Sequence, residues 1–293
     1  QDSSVMLAYY FGGKQYAKDT TDIVNGKLVF SGKKNLDGGI YLLVLPEGKY
    51  FELIVSEQYF SFSTDVNNLI TEMKFTNSRE NTAFYEYLNY ISEKQKEVTP
   101  LKERETKETS QDEKEKLKKQ ILKVDEDVRA YRDVFNNKYK DVFFSKIIRA
   151  TTDIEIPETP LDSTGKPKEN FQFYYYKKHF WDNMDFSDER MLRTPIFFNK
   201  MEQYLEKLTP KHPDSISVSA DILVEKARKN KEIFQYVVSY ITSTYERSKI
   251  MGMDAVFVHM VEKYYINGEC DWVKEKQLKK IIERANRISP NMI

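Results

Sequence analysis

Cysteine is the scarcest residue of consequence. The 293 residues hold one, Cys270, which excludes an internal disulfide, a C-x-x-C redox pair and a multi-cysteine zinc site. Long apolar runs are missing too. The runs at Val5–Phe11 and Ile40–Leu45 are far short of a membrane span, and the first residues carry no leader pattern of charge followed by an apolar stretch. Neither sign of charge prevails. The 46 basic residues against 46 acidic ones exclude a protein built to coat nucleic acid, which needs a basic excess. Histidine occurs three times, and no motif joins the three. No G-x-S-x-G elbow, G-x-G-x-x-G loop, Walker A or H-E-x-x-H occurs. Thr164-Gly165-Lys166 lacks the upstream glycine and precedes a proline, and His259 is followed by Glu262 at the third position, not by an H-E-x-x-H. The sequence therefore names no catalytic residue, no cofactor and no metal.

What is present is a core. Apolar residues make up 40% and aromatics 14% of the chain, which is enough for stable globular packing. The first part reads as β. Val5–Tyr10 ends at Gly12-Gly13. Asn25-Gly26, between Asp22-Ile23-Val24 and Lys27-Leu28-Val29-Phe30, signals a type I′ hairpin. Gly38-Gly39 opens Ile40–Leu45, which has no polar alternation and reads as buried on both faces. Pro46-Glu47-Gly48 turns into the alternating Phe51, Leu53 and Val55, then Phe60 and Phe62. Short strands at close spacing predict a small antiparallel sandwich or barrel over 1–76.

Near Asn77 the period becomes helical. Asn77 and Ser78 suit an N-cap, and Asn77 with Glu80 has capping-box spacing. Residues 96–129 hold ten basic and ten acidic side chains, while Leu117, Ile121, Val124, Val128, Tyr131, Phe135 and Val142 keep heptad spacing. The pattern predicts a long antiparallel helical hairpin over 77–150, with a solvated tip near Val98–Asp112 and Pro100 at the break. Residues 151–172 read as a linker with Pro157, Pro160, Gly165 and Pro167. Residues 173–293 read as a helical bundle, with starts at Thr194-Pro195, Pro213, Lys231, Met253 and Asp271. The fold class is α+β, and 77–293 reads as one helical domain.

The densest polar and aromatic stretch is Tyr174 to Arg190. His179 with Asp182, Asp185 and Asp188 offers metal donors. The commoner alternative for such residues is that Asp185, Ser187 and Asp188 cap a helix while the aromatics fill a core. Tyr, Trp and Arg also concentrate binding energy at protein interfaces. On that reading Tyr174, Tyr175, Tyr176, His179, Trp181, Asp185, Arg190 and Arg193 are the candidate interaction residues. Cys270, placed at the start of the last helix, sits where a thiolate is stabilised. His212 reads as exposed and His259 as a satisfied helix residue.

Gly38-Gly39-Ile40-Tyr41-Leu42-Leu43-Val44-Leu45, Tyr59-Phe60-Ser61-Phe62-Ser63-Thr64-Asp65 and Asn77-Ser78-Arg79-Glu80-Asn81 resemble the small β domain that opens Bacteroidetes thiol–disulfide oxidoreductases of the TlpA/ResA group. Tyr175 to Asn183, Phe186 to Arg190, Arg193 to Phe197, His212 to Ile216 and Met251 to Val258 resemble the helical domain that follows it. The resemblance implies an excised, non-catalytic accessory region, preceded by an export signal and followed by a thioredoxin-like domain with the C-x-x-C. It implies a periplasmic or envelope-associated setting. The partners it implies are the thioredoxin-like domain of the same polypeptide and periplasmic protein thiols, without nucleic acid or a transmembrane segment. The family's catalytic cysteines have no counterpart here, and Cys270 does not match them. Asp19-Thr20-Thr21, Asp162-Ser163-Thr164 and Asp214-Ser215-Ile216 resemble that phylum's O-glycosylation pattern. Two rival classes remain: a stand-alone periplasmic helical scaffold or peptide-binding module, and a metal-dependent hydrolase built on His179.

Overall fold

A computed structural model of the chain describes residues 4–289, so Pro290–Ile293 lies outside the described residues. The fold is α+β, an antiparallel sheet followed by helices. Contacts divide the chain into two units, Gln1–Thr152 and Asp153–Ile293. The helical hairpin thus clusters with the sheet before it, although helical character runs from 77 onward.

The first unit is built on β1 (Ser4–Phe11), β2 (Lys14–Asp22), β3 (Gly39–Val44) and β4 (Tyr50–Val55), in the order β2-β1-β3-β4. All neighbours are antiparallel. β3 has Gly39 through Leu43 buried, as an inner strand without polar alternation requires. A ribbon of β5 (Ser61–Ser63) and β6 (Lys74–Thr76) adds Phe62, whose ring meets Phe51 at 5.5 Å. Among the described residues the four-stranded sheet is open, so the barrel alternative does not apply.

The expected hairpin at Asn25-Gly26 is present only as a turn. Both residues take positive φ, 52° and 71°, but a single bridge, Val24 to Lys27, flanks them. The real hairpin turns at Gly12-Gly13, pairing Phe11 with Lys14. Its second strand, Lys-Gln-Tyr-Ala-Lys-Asp-Thr-Thr-Asp, is exposed almost throughout. A polar edge strand of this kind leaves no hydrophobic pattern to read.

α1 (Arg79–Lys107) and α2 (Gln111–Lys138) form the long hairpin. Two expectations change. The N-cap is Ser78, whose Oγ accepts from Asn81 N at 3.1 Å, and Asn77 stands outside the helix at φ 62°. Pro100 lies within α1 and does not end it. Its missing N–H falls on an exposed position, and the break comes at Glu108, whose carboxylate accepts from Thr109 N and Ser110 N, both at 2.9 Å. The seam is aliphatic toward the tip, with Val98, Leu117 and Val124 buried. Toward the base it is aromatic: Tyr90 stacks on Tyr131 at 3.6 Å, and Tyr87 meets Phe135 at 5.2 Å. Val142, the last heptad position, lies past α2 and is the N-cap of a third helix, α3 (Phe143–Thr151).

The base is locked by polar groups. Asn81, fully buried, donates from Nδ2 to Ile54 O at 2.8 Å and accepts from Ile54 N at 2.7 Å. Glu80, 3% exposed, accepts from Phe143 N at 2.9 Å and Phe144 N at 2.7 Å, capping α3 from a different helix. Glu57 accepts from Glu80 N at 3.1 Å and Ser78 Oγ at 2.9 Å.

The second unit runs through an irregular stretch, 153–170, with one bridge from Leu161 to Pro167. Its helices are α4 (Phe171–His179), α5 (Pro195–Glu202), α6 (Pro213–Ala227), α7 (Lys231–Glu246), α8 (Asp254–Met260) and α9 (Glu275–Ile288). α5 and α8 each continue into one π-helical turn, Gln203–Lys207 and Val261–Tyr265. The expected start of the last helix at Asp271 is corrected. α9 begins at Glu275, and Asp271 instead accepts from Lys231 Nζ at 2.8 Å.

Replacing Asn81 with Ala strands both backbone groups of Ile54 in the interior. The expected loss is about 3 kcal/mol, read as the shift in urea midpoint at constant m-value. A loss below about 1 kcal/mol would remove this pair as an anchor.

Candidate functional site

α4 follows Asn170, which takes a left-handed φ of 55°, and none of its residues is fully buried. Phe173 and Tyr174 are 41% and 64% exposed, an unusual position for neighbouring aromatics. Tyr175 and Tyr176 are half-buried, with Tyr175 4.3 Å from the His179 ring and Tyr176 5.6 Å from Phe180.

The other candidate residues go elsewhere. Trp181 is buried, its ring 5.3 Å from Tyr204 and 5.4 Å from Phe186, and its Nε1 has no hydrogen-bond partner among the described residues. Asp185 accepts from Ser187 N at 2.9 Å and Ser187 Oγ at 2.6 Å, closing a local turn. Asp188 caps a short 3₁₀ helix (Glu189–Arg193) and holds the Arg190 guanidinium at 2.6 Å. Arg193, 7% exposed, donates to Glu232 Oε1 at 2.6 Å, tying that turn to α7. The eight candidates therefore do not share one surface: Tyr174 is exposed, Trp181 and Arg193 are interior, and the rest lie between.

His179 Nδ1 lies 2.6 Å from Asp182 Oδ2. Asp185 and Asp188 are committed to the turns just described. Among the described residues no group of three His, Cys, Asp or Glu side chains converges as metal ligands.

Two polar clusters have no motif in the sequence. Lys177 donates to Thr209 Oγ1 at 3.0 Å and Ser219 Oγ at 3.1 Å, and sits 5.5 Å from the Tyr204 ring centroid. Burial lowers its pKa. A lysine beside a serine is an arrangement that activates nucleophiles. Here Ser219 and Thr209 are 2% and 4% exposed, so no substrate reaches either hydroxyl. The cluster instead fastens α4 to α6, which itself exposes Val218 and Ile222.

The second cluster centres on Asp221 of α6. Its Oδ1 accepts from His259 Nε2 at 3.0 Å and from Tyr264 Oη at 2.7 Å, and its Oδ2 pairs with Lys263 Nζ at 2.8 Å. The π turn after α8 explains the convergence. Wider than an α turn, it brings side chains at i, i+4 and i+5 to one carboxylate. His259 is thus a satisfied helix residue.

A polar cleft of about 370 Å³ is lined by Arg228, Lys231, Phe234, Glu269, Asp271 and Trp272. Its charges are matched internally: Arg228 is bound to Glu225 and Glu269, and Lys231 to Asp271. Cys270, beside it, is 4% exposed. Burial first, then the Glu269 and Asp271 charges, push its thiol up to about 12. With α9 starting at Glu275, Cys270 has no helix N-terminus to stabilise a thiolate.

Comparison with known families finds two matches. A domain of unknown function (DUF5106) matches residues 101–291, and a domain of unknown function (DUF4369) matches residues 1–84. No curated protein and no solved structure matches.

Two outcomes follow. Burial pushes the Asp221 pKa up, but the Lys263, His259 and Tyr264 hydrogen bonds outweigh it and hold the carboxyl below the usual aspartate range. A depressed folded-state pKa adds stability above the unfolded value and loses it as pH falls through the folded one. The stability gap between wild type and Asp221→Asn should therefore be full at neutral pH and shrink below about pH 4, as read by urea titration; a gap independent of pH would overturn this. Cys270 should resist a water-soluble disulfide reagent in the native protein and react at once in urea. Rapid native labelling would contradict its burial.

Proposed function

The chain belongs to the family of the domain of unknown function DUF5106, and from that premise we propose that it is a non-catalytic accessory region of a TlpA/ResA-like thiol–disulfide oxidoreductase. It positions the thioredoxin-like domain of the same polypeptide in the periplasm, or holds that domain's protein substrates. The order of the two matched domains, β first and helical second, supports the reading, as does the resemblance of the Gly38–Leu45, Asn77–Asn81 and Tyr175–Asn183 segments to that group.

The observation that carries it is the exposure of apolar side chains: Phe173 and Tyr174 on α4, and Val218 and Ile222 on α6, each stand exposed, and Lys177 links the two helices. Aromatic side chains so placed give large contact area at low entropic cost, which suits protein partners better than small-molecule chemistry. The buried Cys270 takes no part in thiol exchange. The chemistry, on this reading, belongs to the partner domain.

In a dithiothreitol-driven insulin reduction assay the chain should stay at background. Cross-linking to a thioredoxin-like domain of that group supplied in trans should fall about tenfold in the Phe173→Ser, Tyr174→Ser double variant. Turnover of insulin by the chain alone, or capture that the double variant leaves unchanged, would overturn the proposal.

A further inference from the structure

The two edges of the four-stranded sheet are treated differently. β2 is lined by Lys14, Lys18, Asp19 and Asp22, exposed charges of the kind that discourage pairing. β4 is covered along only half its length. In an antiparallel strand alternate residues turn both backbone groups to the same side. Phe51, Leu53 and Val55 face β3, so Tyr50, Glu52 and Ile54 face outward. Asn81 takes both groups of Ile54, and Tyr85 Oη donates to Glu52 O at 2.9 Å. The Glu52 N–H and both backbone groups of Tyr50 have no partner among the described residues.

That bare stretch is the floor of a groove of about 740 Å³. One wall is α1, through Phe84, Tyr85 and Leu88; the other is the loop from Val66 to Thr71. Tyr50, Val66 and Ile70 are each at least 40% exposed around it. Glu52 also lines it, and its carboxylate is partly desolvated. It accepts from Tyr10 Oη at 3.1 Å, and burial raises its pKa. No cation pairs with it among the described residues; Lys49, in the same groove, lies on the opposite face of the strand and makes no ion pair with it.

We propose that this groove binds an extended segment of a partner protein, added as a further strand beside Tyr50–Glu52, with a lysine or arginine opposite Glu52 and apolar residues against Val66, Ile70 and Leu88. Backbone pairing supplies affinity and the pockets for alternate side chains supply selection, as in other strand-addition sites. The uncompensated carboxylate sets the sign of the central residue, since opposite charges directly across a strand pair attract and like charges repel. The same rule disfavours a second copy of this chain. A two-fold pairing of β4 on β4 through this stretch brings the two Glu52 carboxylates together on one face. The site is independent of the α4 surface and of any redox role.

The test uses the full chain and a short fluorescein-labelled peptide that alternates valine and threonine around a central lysine. Anisotropy should show saturable binding, about fivefold weaker for Glu52→Gln and for a peptide with glutamate at its centre. Val66→Glu, at an exposed position that leaves folding intact, should abolish it. Amide exchange of Glu52 and Tyr50 should slow in the complex, while the α4 amides stay unchanged. Absence of saturable binding, binding indifferent to the central charge and to Glu52→Gln, protection elsewhere than 50–52, or dimerisation through this edge would each overturn the proposal.

Discussion

The first turn of α1 is where the N-terminal unit is decided. Within Ser78, Glu80 and Asn81, three side chains satisfy backbone groups belonging to three separate elements: the start of α1 itself, the outer edge of β4 and the start of α3. Each is buried, so each would be expensive to leave unpaired. The Asn81 amide makes the donor and acceptor pair that a neighbouring strand would have made. A helix thereby ends the sheet on that side. It also fixes where the covering stops: beyond Tyr85 the helix carries no further polar side chain to β4, and the outer groups of Tyr50 and Glu52 stay open.

The second unit is organised by aromatic packing and by two π turns. Phe180, Trp181, Phe186, Phe197 and Tyr204 form a connected set of rings with centroids 5.0 to 6.5 Å apart. Such packing carries much of the apolar burial at this scale. The polar clusters at Lys177 and Asp221 then fix which helices meet. Asp221 binds three donors from one continuous segment, and Lys177 bridges α4 to α6. Both look like sites by residue type. Sealed hydroxyls in one and a fully matched carboxylate in the other make them fastenings.

Much of the architecture can be read from the sequence because its signals are local. Gly38-Gly39 before an unbroken apolar run, the heptad steps from Leu117 to Phe135, and Thr194-Pro195 each mark an element that forms where the pattern puts it. The errors share a cause. β2 is nearly all exposed, so it has no alternation to detect. Asn25-Gly26 makes its turn without strands because no partner surface exists to bury Val29, 71% exposed. Pro100 is tolerated because its missing bond lies on a solvated face. Glu80 has capping-box spacing but caps a helix sixty-odd residues away, a contact no local motif encodes. The candidate stretch from Tyr174 to Arg193 is legible as aromatic and charged. Which members face out is not, because α4 has no single apolar side, and the switch from surface to core occurs between His179 and Phe180.

Charge completes the picture. The 96–129 segment is neutral in sum, and its ion pairs are short-range: Lys116 with Glu113 and Lys123 with Asp127 along α2, and Lys94, just before the segment, across the hairpin to Asp127. Exposed pairs of this kind add little stability and cast little field at a distance. A chain balanced at 46 against 46 cannot steer a partner electrostatically over long range. The association proposed above therefore rests on short-range features: exposed apolar side chains, open backbone groups and the rare unmatched charge. α4 with α6 offers the first, and the β4 groove offers all three. Glu52 is the informative residue there, since a partly desolvated carboxylate without a cation is destabilising by itself and is relieved by a partner that brings one. The hairpin is locked at its base by Glu80 and Asn81, and recognition as proposed above falls to the sheet edge and to α4.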